Sequence, residues 1–151
     1  MSSQARRRLV SDLKKLQKEP TFGIIATPCE NNIMLWHCWV FGPPETVWEG
    51  ATFRVSIEYT EEYPVKPPRV RFESKVFHPN VYENGDVCMD LLQKRWSPQY
   101  DTAAILTSLQ SLLPDPNPES PANVLAAKLF EENNPEYFER IKLCVEDSWL
   151  V

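Results

Sequence analysis

An α+β fold with an antiparallel sheet is predicted by three features of the sequence. A helical apolar stripe opens the chain, four short β-rich runs separated by turn residues follow, and three segments with helix-start signals close it. The 151 residues suit one domain, 1–151, with a single core.

The first helix is predicted from Leu9, Leu13 and Leu16, spaced i, i+4 and i+7, and Glu19-Pro20 ends it, because proline disfavours helical geometry in the residue before it. Phe22–Ala26, Ile33–Phe41, Thr52–Tyr59 and Arg69–Phe72 are rich in β-branched and aromatic residues, which predicts a four-strand meander. Phe53, Val55 and Ile57 alternate with Arg54, Ser56 and Glu58, the pattern of a sheet with one wet face. Tyr63-Pro64-Val65-Lys66-Pro67-Pro68 is a stiff loop suited to contact, with Pro67-Pro68 as a candidate cis bond. Asp101 can cap a helix carrying Ile105, Leu109, Leu112 and Leu113. Ser120-Pro121 and Asn134-Pro135 each set a capping residue before a proline at the first helical position. Tyr137, Phe138, Ile141, Val145 and Trp149 form the stripe of the last helix.

No apolar run approaches the ~20 residues of a membrane helix, and the N-terminus lacks the apolar core of a secretory signal. A cytoplasmic and nuclear location is therefore expected, with no membrane partner. Cys29, Cys38, Cys88 and Cys144 form no Cys-x-x-Cys pair, so zinc is not signalled and free thiols are expected. The net charge of −5 is uneven: Arg6, Arg7, Arg8, Lys14, Lys15 and Lys18 face Asp12 alone in the first helix. That stretch is either a solvated face or a docking face for an acidic protein. Direct nucleic-acid binding is not expected of an acidic chain without a basic-aromatic pattern.

The segment from His78 to Trp96 is where chemistry is expected. Cys88 follows Asn80 by eight residues, with Tyr82, a tight turn and polar groups around it, so the thiol is presented rather than packed. A thiolate is both nucleophile and leaving group, which permits hydrolysis or carriage of an acyl group as a thioester. Hydrolysis needs a base. His37 lies in a strand run and reads as a satisfied structural residue, while His78 precedes Pro79 and can equally be fixed by backbone. Neither comes with an orienting third group. Acyl carriage needs an exposed thiol, an amide donor such as Asn80, and help for an incoming lysine to lose its proton. Desolvation beside Tyr82 favours the neutral amine, whereas Asp90 attracts and orients the ammonium. Lowering the lysine pKa by roughly two units would raise its reactive fraction about a hundredfold.

These residues carry a resemblance. His78-Pro79-Asn80, Cys88, Leu91-Leu92 and Trp96-Ser97-Pro98 resemble the signature of ubiquitin-conjugating enzymes. So do Tyr63-Pro64 with Pro67-Pro68, Asp115-Pro116-Asn117-Pro118 and Ser120-Pro121-Ala122-Asn123. Ala5–Leu9, Glu30–Met34 and Ile105–Leu113 are most similar to the branch that ubiquitylates histones and serves post-replication repair. The resemblance implies that fold, with an active-site loop between sheet and helices. It also implies that Cys88 accepts ubiquitin from an activating enzyme that consumes the ATP, so no cofactor is expected to be bound here. Asn80 would then donate to the oxyanion or hold the active-site loop, and Tyr82, Asp90 and Ser120 would line the lysine's approach. Relatives often have an acid at the Ser120 position. Ser120 is thus either a helix cap or a phosphorylation switch that supplies the missing charge. Arg6, Arg7, Lys14, Val65, Lys66, Ser97, Pro98 and Gln99 would form the surface shared by the activating enzyme and a ligase. The substrate is a protein, with histones as one class, and a monomer suffices. The alternatives are a carrier of another ubiquitin-like modifier and a non-catalytic scaffold of the same fold. Departures include Met89 where leucine is usual and bulky Ile25 on the face that binds a second ubiquitin in some relatives.

Overall fold

The computed structural model describes residues 3–150. Helix α1 (Gln4–Lys18) is followed by strands β1 (Ile24–Cys29), β2 (Asn32–Phe41), β3 (Thr52–Glu58) and β4 (Arg69–Phe72), then a 3-10 turn (Asp90–Leu92) and helices α2 (Thr102–Leu112), α3 (Val124–Glu131) and α4 (Pro135–Asp147). The strands form one antiparallel sheet in chain order. Trp36 faces Ile57, Cys38 faces Val55 and Val40 faces Phe53 across β2 and β3. All six are buried, so the alternation seen in the sequence is the inner face of the sheet. Leu9 of α1 and Ile105, Leu106 and Leu109 of α2 close the core. No helix among the described residues is long and apolar enough to cross a membrane.

Several local expectations are corrected. β1 begins at Ile24, leaving Phe22 exposed. The cis bond is Tyr63-Pro64, not Pro67-Pro68. His37 is exposed on the outer face of β2, opposite Thr27 and Ser56. Ser56 lies on that wet face yet is buried, and its hydroxyl is satisfied by donating to Glu73 Oε1 at 2.8 Å. Asp101 and Asn134 cap α2 and α4 as predicted. Ser120 caps nothing: α3 starts at Val124 under Asn123, whose side chain accepts from Ala126 N. The cause is a long-range competitor. The amides of Ala122 and Asn123 both donate to Pro79 O, at 2.7 and 3.0 Å, which holds residues 120–123 out of the helix. Trp149 falls beyond α4, and its indole donates to Gly50 O at 2.7 Å.

Candidate active site

The eight-residue spacing between Asn80 and Cys88 is the register of a small hairpin. Cys88 N donates to Asn80 O at 2.8 Å, Val81 bridges Val87, and Tyr82 N donates to Asp86 O at 2.9 Å. The three-residue tip, Glu83-Asn84-Gly85, turns with Gly85 at φ 94°, a conformation that glycine takes without a Cβ penalty. A Cβ there would lie 2.1 Å from Phe72 O, so the hairpin rides directly against β4. Arg69 of β4 grips Asp86 in a two-point contact, at 2.9 and 3.1 Å.

His78 is scaffold. Its ring is fully buried; Nε2 donates to Leu112 O at 2.8 Å and Nδ1 accepts from Asn80 N at 2.9 Å, bonds that fix the neutral tautomer. Burial pulls its pKa down to about 4. The unfolded chain takes up a proton at this imidazole near pH 6.5, which the folded chain refuses until about pH 4. The stability present above pH 6.5 is therefore lost as pH falls through that window, by up to about 1.4 kcal/mol per pH unit. Denaturant unfolding across this range should show that slope, and His78→Asn should flatten it; an unchanged slope would remove His78 as its source.

Asn80 is 1% exposed and bonded in both directions to one loop. Its Nδ2 donates to Asn117 O at 2.7 Å, and its Oδ1 accepts from Asn117 N at 2.8 Å. A second, longer contact from Nδ2 reaches Ser120 O at 3.5 Å. The Cys88 Sγ approaches that same carbonyl at 4.0 Å. Asn80 therefore holds the 117–120 loop, and its N–H is only loosely engaged with the carbonyl that the thiol also approaches.

Cys88 is half-exposed at a cleft of about 540 Å³ that also takes in Asn80, Asp90, Gln93, Asn117 and Ser120. Gln93 was not singled out in the sequence. The 3-10 turn folds it back so that Nε2 lies 3.8 Å from Cys88 Sγ, close enough to donate weakly to sulfur. Asp90 is exposed at the rim, and the exposed Ser120 places its backbone rather than a cap at the cleft. Tyr82 is not in this cleft. It is half-exposed and lines a separate groove of about 640 Å³ together with Phe77, Asn123, Leu125 and Arg140. The result is a partly open thiol among amide donors, with its neighbouring histidine neutral and committed to other partners. That suits a group handed on to an amine better than one handed to water.

The segments that carry the predicted docking residues are linked by hydrogen bonds. Arg8 of α1 donates to Pro98 O at 2.7 Å and Tyr100 O at 3.1 Å, and the Trp96 indole donates to Pro64 O at 3.0 Å. Helix α1, the 63–66 loop and the 96–100 segment are thereby adjacent. Val65, in that loop, is 65% exposed. Arg6 pairs with Glu61 and Lys66 with Glu62, both at 3.3 Å. Arg7, Lys14, Pro98 and Gln99 are exposed, and Ser97 Oγ accepts from Gln99 N. Among the described residues no group of three or more His, Cys, Asp or Glu side chains could hold a metal ion.

Comparison with known proteins supplies the family. Residues 8–145 match the profile of the family described as ubiquitin-conjugating enzyme. A Caenorhabditis elegans protein described as "Ubiquitin-conjugating enzyme E2 1" is 58% identical over 150 residues, covering 99% of this chain and 78% of that protein.

Proposed function

The chain belongs to the ubiquitin-conjugating enzyme family, and from that premise we propose that Cys88 is the thioester acceptor and Asn80 its principal helper. The protein is a transferase that carries ubiquitin as a thioester between an activating enzyme and an acceptor lysine. The observation that carries the assignment is the convergence of Cys88 Sγ, Asn80 Nδ2 and Gln93 Nε2 at one cleft.

In charging, the Cys88 thiolate attacks the thioester carbonyl on the activating enzyme, and that enzyme's thiol leaves. In discharge, a neutral lysine amine attacks the new thioester. The tetrahedral intermediate collapses, the C–S bond breaks, and the amine proton leaves to solvent as Cys88 is regenerated. The loosely held N–H of Asn80 supports a role at the oxyanion, and its bonds to Asn117 support a role in holding the loop. Asp90 attracts the ammonium from the cleft rim. Tyr82 acts from the neighbouring groove, against the part of the substrate that carries the lysine. Ser120, exposed and free of capping duty, is open to phosphorylation, which would add negative charge where the amine enters.

Arg6, Arg7, Lys14, Val65, Lys66, Ser97, Pro98 and Gln99 dock the activating enzyme and then a ligase, so charging and discharge alternate. ATP is consumed by the activating enzyme, and this chain needs no cofactor of its own. We place the protein in the histone-ubiquitylating, post-replication-repair branch, working as a monomer in cytoplasm and nucleus; the runs Ala5–Leu9, Glu30–Met34 and Ile105–Leu113 support that placement. Incubation with ubiquitin, activating enzyme and ATP should give a higher-mass band that reducing agent removes, and a repair ligase should direct transfer to a histone. A band with another modifier but not ubiquitin would overturn the carrier assignment, and ligase-driven transfer that bypasses histones would overturn the branch.

A further inference from the structure

Asp12 stands out in a helix that reads as basic and solvated. It lies on the inward side of α1 and is 3% exposed. Its carboxylate accepts from Arg8 Nε at 3.0 Å, Tyr63 OH at 2.6 Å, and the Thr102 amide and hydroxyl, each at 3.0 Å. Those donors come from α1, the proline loop and the first residue of α2. Arg8 extends the network to Pro98 O and Tyr100 O and stacks 5.5 Å over the Tyr63 ring. Three separate segments are thus joined at one charge pair, whose carboxylate is buried and whose guanidinium is half-buried. Buried ion pairs add little net stability compared with an apolar contact, but they demand one geometry, whereas apolar side chains tolerate sliding.

We infer that Asp12 and Arg8 are positioning residues of the docking face, holding α1, Val65-Lys66 and Ser97–Gln99 in the one arrangement that a partner protein reads as a single surface. The inference rests on the docking role proposed above. A surface set in advance loses less conformational entropy on association, so loosening it weakens binding without touching the chemistry at Cys88.

The test is the dependence of charging rate on the concentration of the full chain. Arg8→Lys keeps the charge but cannot span Asp12, Pro98 and Tyr100 together. It should raise KM about tenfold with kcat within about twofold. Backbone amide resonances of the non-proline residues in 63–66 and 96–100 should move, while those of the 80–88 hairpin stay. Asp12→Asn should do the same more strongly where it folds, and Arg8→Lys decides the matter where it does not. Lys14→Glu, which changes exposed charge without touching the pair, should raise KM with those resonances unmoved. If Lys14→Glu leaves KM unchanged, the docking role falls and the inference with it. If Lys14→Glu raises KM and Arg8→Lys does not, the inference alone is overturned. A proportional fall in kcat with moved hairpin resonances would also overturn it, since the pair would then serve the fold at large.

Discussion

Cys88→Ala is expected to abolish charging altogether, and Cys88→Ser to yield a charged species that survives reducing agent. The other thiols offer no substitute. Cys38 is buried in the sheet, where desolvation pushes its pKa up to about 12. At pH 7 that leaves about one thiolate in 10⁵. Cys144 is buried in α4 and is likewise pushed up by desolvation. Cys29 is half-exposed but sits at the β1 end of the β1–β2 turn, outside the cleft formed by Asn80, Gln93 and Ser120. The serine variant should charge slowly, because a hydroxyl is a poor nucleophile without a base and His78 cannot supply one. Non-reducing and reducing gels separate the outcomes. A reducible band of normal intensity from Cys88→Ala would move the acceptor elsewhere.

Asn80→Ala should charge within a few-fold of the parent yet discharge to free lysine about 100-fold more slowly. Two effects combine. Truncation leaves the amide and carbonyl of Asn117 without their partners, which costs about 1–3 kcal/mol and loosens the loop facing the thiol. It also removes the loosely held N–H that reaches Ser120 O, the carbonyl that Cys88 Sγ approaches, and a lost oxyanion donor typically costs about 10² to 10³ in rate. Asn80→Asp tests the loop, since it keeps an acceptor for Asn117 N but loses the donor. Partial recovery over alanine points to the loop; the absence of recovery decides nothing, because the second carboxylate oxygen would face Asn117 O. Single-turnover discharge of the purified thioester is the measurement; equal rates for parent and Asn80→Ala would remove Asn80 from the chemistry.

What was legible in the sequence was local. Alternation in Thr52–Glu58 fixed the inner face, and Asp101 and Asn134 announced their helices, because each signal depends on neighbours a few residues away. The spacing of Asn80 and Cys88 was legible too, as a hairpin register seen before the hairpin. Several misses involve contacts that form only once the chain is folded. Ser120-Pro121 has the form of a helix start, but Pro79 O captures the next two amides. Asp12 looked like a stray acid among basic residues; its burial depends on Tyr63 and Thr102, 51 and 90 residues away. Gln93 became visible only once the 3-10 turn brought its amide back to the sulfur. Tyr82 is expected from the resemblance to line the lysine's approach, and it lies in the groove neighbouring the thiol's cleft.

The central claim is that ubiquitin rides on Cys88. Charging the wild-type chain, digesting the product under non-reducing acidic conditions and mapping the linkage by mass spectrometry tests it most directly. The expected result is ubiquitin's C-terminus joined through a thioester to the peptide containing Cys88. A linkage to Cys29, Cys38, Cys144 or a lysine, with the Cys88 peptide unmodified, would contradict it.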